Sequence, residues 1–374
     1  MIKVFLVSSG LGNVKRGFES FTQECFDTLV TDESLEITLF KGSGNTGERV
    51  VNLANLPRRS FLGMLLGKIS GRGAYFIEQF TFTLSLLPYI QIQQPDVIYF
   101  SDGNIGNLLW HWRRLTQQKY KLLYSNGGPL PPEFERWDWV QQVAPIHLKI
   151  AIDAGVSEEK QSLVPYGIKM SRELNLLSET DKKAKRKQLY LPTNRTIILS
   201  VATINKSHKR LDYLIQELAT LPEPRPYLLL LGQKDEESAE IFALADKLLG
   251  KDNFSILTVP PEQVFSYYPL ADIFVLASVG EGLPRALLEA MSYGLPCLMH
   301  NYEVAHFVLA EAASKQTANF KRSGELANLI SQTLLAKNEP STRLLRHQNI
   351  YNRFSWEQLR SQYVEMIHRC AAKI

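Results

Sequence analysis

Glu281-Gly-Leu-Pro-Arg-Ala-Leu-Leu-Glu289-Ala-Met-Ser-Tyr-Gly-Leu-Pro296 decides how this chain is read. Two carboxylates stand eight positions apart, the first in a Gly/Pro turn and the second in the helix that follows. Upstream, Asp272-Ile-Phe-Val-Leu-Ala-Ser278 is a short apolar run with β-branched residues, the pattern of a buried strand. Strand, tight turn and helix in this order aim backbone N–H groups and the positive end of a helix dipole at the space above the turn. An anion is favoured there. Carboxylates beside the anion can accept hydrogen bonds from hydroxyls. Amides for a phosphate next to carboxylates for sugar hydroxyls make a nucleotide-sugar site.

The rest of the chain supplies the setting. At 374 residues it is too long for one ordinary α/β core, so two domains are expected. An apolar fraction of 45% and a charged fraction of 21% are ordinary for a soluble globular protein. A net charge of +4 argues against a nucleic-acid partner. Cys25, Cys297 and Cys370 are widely spaced and odd in number, which suits a reducing compartment better than a disulfide framework or a metal site. No run is apolar and long enough to be a transmembrane helix. The first strand-like run, Met1–Ser9, is too short for a signal peptide and leads into a glycine loop.

Strands and helices alternate twice. In the first half, runs at 4–8, 35–40, 96–100 and 121–125 read as strands, with helices at 17–30, 76–93 and through Leu108–Trp112. The second half restarts with strands at 196–202, 227–232 and 254–258 and helices at 210–218 and 236–249, then reaches the Asp272 unit. Such alternation means parallel sheets with crossover helices. The fold class is therefore α/β. Two Rossmann-like, doubly wound parallel-sheet domains are expected to face each other across a cleft at the carboxyl ends of their strands. We place the N-terminal domain at 1–170, the C-terminal domain at 171–354, and at 355–374 a helix that crosses back to the N-terminal domain. Ser355-Trp-Glu-Gln358 reads as its capping box.

The pattern E-G-x-x-x-x-x-L-E-A-M-x-x-G-x-P resembles the E-x7-E signature of GT-B glycosyltransferases, closest to the retaining family 4 enzymes (glycosyl transferases group 1). Three weaker features stand in the family's order: the glycine loop after the first strand, Val164-Pro-Tyr-Gly-Ile168, and the closing Phe354-Ser-Trp356 helix. The resemblance implies that Glu289 binds the ribose hydroxyls of the donor nucleotide. It puts Glu281 on or near the transferred sugar. Backbone around Gly282 and Leu283 would grip sugar and diphosphate. Pro284 stands where glycine is commoner and has no N–H to donate, which moves that contact to Arg285 or Ala286. Lys209, in Asn205-Lys-Ser-His-Lys-Arg-Leu-Asp212, matches the family's phosphate-binding lysine. At the usual arginine position stands Thr203, with Lys206 or Arg210 as replacements for the second cation. Backbone near Val259 and Pro260 completes the donor side.

On the acceptor side, Gly10-Leu-Gly-Asn-Val-Lys-Arg-Gly17 offers Gly12 and Asn13, with Lys15 and Arg16 for an acidic acceptor or a phosphate. Ser125-Asn-Gly-Gly-Pro129 offers Asn126, and the end of the preceding strand offers Asp102 and Asn104. Glu19 reads as a helix cap. His111, between two tryptophans, reads as packed on a helix. The stretch Pro57–Arg72 mixes leucines with four cations. It is read either as a segment packed on the N-terminal domain, which we prefer, or as a peripheral contact with an anionic membrane.

The expected activity is a metal-independent hexosyl transfer from a nucleotide-sugar, with retention of configuration, to a glycan, a lipid-linked or a small-molecule acceptor. A UDP- or GDP-sugar is the expected donor, as substrate, with no cofactor and no metal. The rival readings are a non-catalytic sugar- or nucleotide-binding protein on a GT-B fold, and a GT-B sugar-nucleotide epimerase. The expected compartment is the cytoplasm, with peripheral contact at the inner membrane face left open.

Overall fold

A computed structural model describes residues 1–14, 17–128, 134–336 and 338–372. The chain divides into two compact units, Met1–Lys169 with Trp356–Ile374, and Met170–Ser355.

The first unit contains seven parallel strands: β1 (Ile2–Ser8), β2 (Leu35–Lys41), β3 (Val50–Asn52), β4 (Val97–Phe100), β5 (Lys121–Asn126), β6 (Trp139–Gln142) and β7 (Gln161–Leu163). Their order is β3-β2-β1-β4-β5-β6-β7. The direction of winding reverses between β1 and β4, so the loops after those two strands flank the topological switch point. β1 and β4 are apolar on both faces because helices cover both, as parallel sheets require. Val164-Pro-Tyr-Gly-Ile168 and the closing helix Trp356–Ala372 meet in this unit. A Cβ at Gly167 would stand 2.4 Å from the Trp356 indole, so only glycine lets that ring lie flat on the backbone. Trp356 Nε1 donates to Glu24 Oε2 at 2.9 Å, and Tyr363 Oη donates to the Pro165 carbonyl at 2.8 Å.

The second unit contains β8 (Ile197–Val201), β9 (Tyr227–Leu231), β10 (Phe254–Leu257), β11 (Ile273–Leu276), β12 (Cys297–His300) and β13 (Thr317–Ala318). The order is β10-β9-β8-β11-β12-β13, all parallel. Here winding reverses between β8 and β11. Asp272, at the entrance to β11, anchors this sheet. Its carboxylate accepts from Lys182 Nζ at 2.5 Å, Arg186 Nη2 at 2.7 Å and the Ile197 amide at 2.8 Å. Burial alone would push the pKa of this carboxyl up, but the two cations and that amide outweigh burial and hold it below its usual range.

Several details differ from the sequence reading. The helix expected at 210–218 is Leu211–Ala219, because Arg210 takes a left-handed conformation (φ 51°) as its N-cap. The helix expected at 76–93 begins earlier, at Gly73. Five short strands, β3, β6, β7, β12 and β13, were not anticipated. His111 is exposed on the helix Gly103–Thr116, its ring edge-on to Trp110, rather than packed.

Candidate functional site

In the second unit the loops after β8 and β11 flank the switch point, and they carry Lys209 and Glu281. Asn205, nearly buried, shapes the first loop. Its Oδ1 accepts from the Lys209 amide at 2.8 Å, and its Nδ2 donates to Asp235 Oδ2 at 2.9 Å. The Lys206 and Ser207 amides both donate to Glu237 Oε2, at 2.7 and 2.9 Å. These four bonds hold the loop while Lys209 reaches over the neighbouring strand. Lys209 Nζ donates to Glu281 Oε1 at 2.5 Å, with both side chains mostly shielded from water.

The turn Glu281–Pro284 leads into the helix Arg285–Ser292, with Gly282, Leu283 and Pro284 buried. Pro284 is the N-cap, and its carbonyl accepts from the Leu287 amide at 3.0 Å. The Ala286 amide, in the first turn, has no intrahelical partner by geometry and points out of the helix end. One turn along, Glu289 Oε2 accepts from Tyr268 Oη at 2.8 Å, while its Oε1 lies 3.8 Å from Arg285 Nη2. Tyr268 is fully buried and stacks on Tyr293 with ring centroids 5.5 Å apart. Burial first, and then the Glu289 charge, push the Tyr268 phenol well above its ordinary value, so it stays a proton donor. Tyr302, just after β12, is pushed up by burial and by the Glu281 charge. Its neighbour His300 is held below the ordinary histidine value, mainly by burial. The Phe320 amide donates to its Nδ1 at 3.1 Å, which fixes the neutral ring.

The other donor-side candidates are distributed unevenly. Val259 follows β10 and Thr203 follows β8, both half-buried at carboxyl ends of strands. Arg210 does not stand free: Nη1 donates to the Phe320 carbonyl at 2.6 Å and the guanidinium lies over Tyr213. Lys206 is exposed and paired with Glu240. Arg285 is buried beside Glu289. Lys209 is thus the cation that the loops bring to Glu281. Tyr268 is the residue that sequence reasoning missed. It precedes a strand in Tyr267-Tyr-Pro-Leu-Ala-Asp272, and nothing in that spacing announces a contact 21 residues away.

In the first unit the loops at the switch point hold Gly12 and Asn13 after β1 and Asp102 after β4. Gly12 has φ 91°, and a Cβ there would lie 2.0 Å from the Ser43 carbonyl oxygen. Asn13 Oδ1 accepts from Ser43 Oγ at 2.7 Å. Asp102 caps the helix Gly103–Thr116 by position and accepts from the Tyr75 hydroxyl. Asn104 Nδ2 donates to Gln79 Oε1 at 2.7 Å. Asn126 is buried at the end of β5 and donates to Gln142 Oε1 at 2.8 Å, a tie to the neighbouring strand β6. Glu19 is buried in the first turn of its helix. Lys15, Arg16 and Pro129 lie outside the described residues. Among the described residues, no group of three or more His, Cys, Asp or Glu side chains is placed to hold a metal ion.

Residues 181–352 match the family Glycosyl transferases group 1. A putative teichuronic acid biosynthesis glycosyltransferase, TuaC of Bacillus subtilis, is 28% identical over 137 residues, covering 37% of this chain and 32% of its own length. An uncharacterized glycosyltransferase of Haemophilus influenzae is 32% identical over 118 residues, 30% of this chain and 33% of its own. The match thus spans about a third of the length of these curated relatives. Among solved structures, a sucrose-phosphate synthase of Thermosynechococcus elongatus superposes with a TM-score of 0.79 at 18% identity over 99% of each chain. Anabaena HepE, solved in complex with UDP and glucose, gives 0.76 at 16% identity over 98% of this chain and 100% of that one. At these identities the likeness is one of fold. The second unit carries a glycosyl transferases group 1 domain, on a chain whose two parallel-sheet units have the fold of GT-B glycosyltransferases.

Proposed function

We propose that this chain is a retaining glycosyltransferase that moves a sugar from a nucleotide-sugar to an acceptor hydroxyl without a bound metal. The observation that carries the reading is the contact of Lys209 Nζ with Glu281 Oε1 across the switch point of the second sheet. A cation and a carboxylate from two separate loops converge where an open parallel sheet binds its ligand. Glu289 follows on the adjoining helix, its carboxylate held by Tyr268.

Each group then has a task. The donor diphosphate displaces the Glu281 carboxylate from Lys209 and takes the ammonium and the first-turn amides for itself. Glu281 turns to the hydroxyls of the transferred sugar, and Glu289 to those of the ribose. As the bond from the anomeric carbon to the diphosphate breaks, negative charge gathers on the leaving oxygen. A fixed cation in a water-poor site stabilises that charge by several kcal/mol. The acceptor oxygen bonds to the same face of the anomeric carbon, and its proton passes to the departing diphosphate. No separate general base is then needed. UDP is the preferred nucleotide, because three HepE structures that share this fold hold UDP, UDP with glucose, or UDP-glucose; GDP is the next choice. The acceptor, a glycan or a lipid-linked saccharide, falls to the first-unit loops around Asn13 and Asp102. Three buried cysteines outside any disulfide, Cys25, Cys297 and Cys370, support a cytoplasmic setting.

A panel of UDP-, GDP- and ADP-sugars followed by melting temperature tests the donor site. One nucleotide series should raise the transition by several degrees at saturating ligand. No shift with any member would sink the reading.

A further inference from the structure

The helix Phe61–Ser70 of the first unit is built inside out. Ser60 caps it, with Oγ accepting from the Gly63 amide at 3.1 Å, and Gly71 ends it in the left-handed region. Of its residues only Gly63 and Gly67 are buried. A Cβ at Gly63 would lie 2.5 Å from the Pro57 carbonyl oxygen, and one at Gly67 would lie 2.4 Å from the Ala74 amide nitrogen. The two glycines, one turn apart, therefore form the face that packs on the protein. By helical periodicity Leu65 stands opposite them, flanked by Phe61 and Ile69. Phe61 is 74% exposed and Ile69 73%, and Leu62, Met64, Leu65 and Leu66 are exposed as well. An ordinary surface helix buries its large apolar side chains and exposes the small or polar ones. A contiguous apolar patch of this kind marks an interaction surface.

Charge selects the partner. Between Glu48 and Glu78 the sequence has Arg49, Arg58, Arg59, Lys68 and Arg72 and no carboxylate. Arg58 is spent on the buried Glu78, at 2.5 Å. Arg59, Lys68 and Arg72 are exposed around the apolar patch. A second copy of the chain docked by two-fold symmetry would set these cations against their own like. A surface that is apolar within and anionic at its rim fits them, and an anionic bilayer is such a surface. We propose that this helix lies in the headgroup plane of an anionic membrane. Phe61, Leu62, Leu65 and Ile69 reach the acyl boundary, and Arg59, Lys68 and Arg72 meet phosphates, the Lys68 stem snorkelling past Phe61. The helix is far too short to span, and no helix of the described residues is long and apolar enough to cross a membrane. The proposal stands independently of the donor site.

The test is co-sedimentation of the full chain with phosphatidylcholine vesicles, with and without phosphatidylglycerol. Binding should require the anionic lipid and fade with added salt. Lys68→Gln should weaken it roughly fivefold. The double change Phe61→Ser with Ile69→Ser should weaken it by more than about tenfold, without lowering the melting temperature, since both side chains are outside the core. A chain that stays in solution with anionic vesicles overturns the proposal, as does binding indifferent to the double change. Light scattering that shows a dimer dissolved by the double change, with no vesicle binding, makes this a self-association face and overturns it equally.

Discussion

Tyr268→Phe separates a carboxylate that binds ligand from one that only holds the fold. The change keeps the buried ring and its stack on Tyr293 and deletes one hydrogen, the one donated to Glu289 Oε2 at 2.8 Å. A hydrogen bond to a charged acceptor contributes about 1.5–3 kcal/mol. Arg285, at 3.8 Å from the other carboxylate oxygen, can close in and recover part of it. About 2 kcal/mol should therefore be lost, which for a unit of this size lowers its melting temperature by about 4–8 °C. That loss follows from the hydrogen bond alone. A second effect follows only if Glu289 holds the ribose: its carboxylate is no longer pinned, and nucleotide affinity should fall about tenfold, or about 1.4 kcal/mol. Titration calorimetry with UDP and GDP, beside thermal unfolding, reads both. Tyr293→Phe, which keeps the stack, is the control and should leave affinity unchanged. A lower melting temperature with unchanged affinity would refute the ligand role of Glu289. An unchanged melting temperature would refute the hydrogen bond.

Glu281→Gln removes the charge that Lys209 now faces, so UDP should bind as well or more tightly while turnover falls by at least about tenfold; equal turnover would remove Glu281 from the reaction. The His300 ring is held below its ordinary value in the folded chain, mainly by burial, and titrates near 6.5 when unfolded. The unfolded state therefore binds more protons below that pH, and stability of the second unit should fall as pH drops from about 7 to 5. That slope should flatten in His300→Gln, and stability that is level or rising over this range would contradict the assignment. Gly167→Ala forces a methyl into the Trp356 indole and should cost about 1–3 kcal/mol in chemical unfolding of the first unit. No loss would mean that the ring is not seated there.

How far the sequence could be read depended on whether each signal was local. The run 272–278, the Gly/Pro turn and the helix after it each announce themselves within a few residues. The switch point follows once two alternating halves are recognised. β13 spans two residues, too few to show any period, while β6 (Trp139-Val-Gln-Gln142) and β12 (Cys297-Leu-Met-His300), as long as β4 and β11, end in polar residues that break the apolar run. Arg210 read as a phosphate-binding cation because its partner, the Phe320 carbonyl, is 110 residues away. Tyr268 stayed silent for the same reason. Asn126 and Asn104 read as site candidates because they are strand-end polar side chains; that their amides also tie to Gln142 and Gln79 is a long-range contact no local pattern announces. In Pro57–Arg72 the apolar content was plain. Which face would pack was not, because two glycines without side chains took the protein side and left the leucines outside.

The central claim is that Lys209, Glu281 and Glu289 form one nucleotide-sugar site in the second unit. Calorimetric titration of UDP-sugars and GDP-sugars into the intact chain and into Glu289→Ala tests it most directly. The account predicts saturable binding of one nucleotide series to the unaltered chain, weakened by about tenfold or more in Glu289→Ala. Equal affinity in the two proteins, or no binding to either, would contradict it.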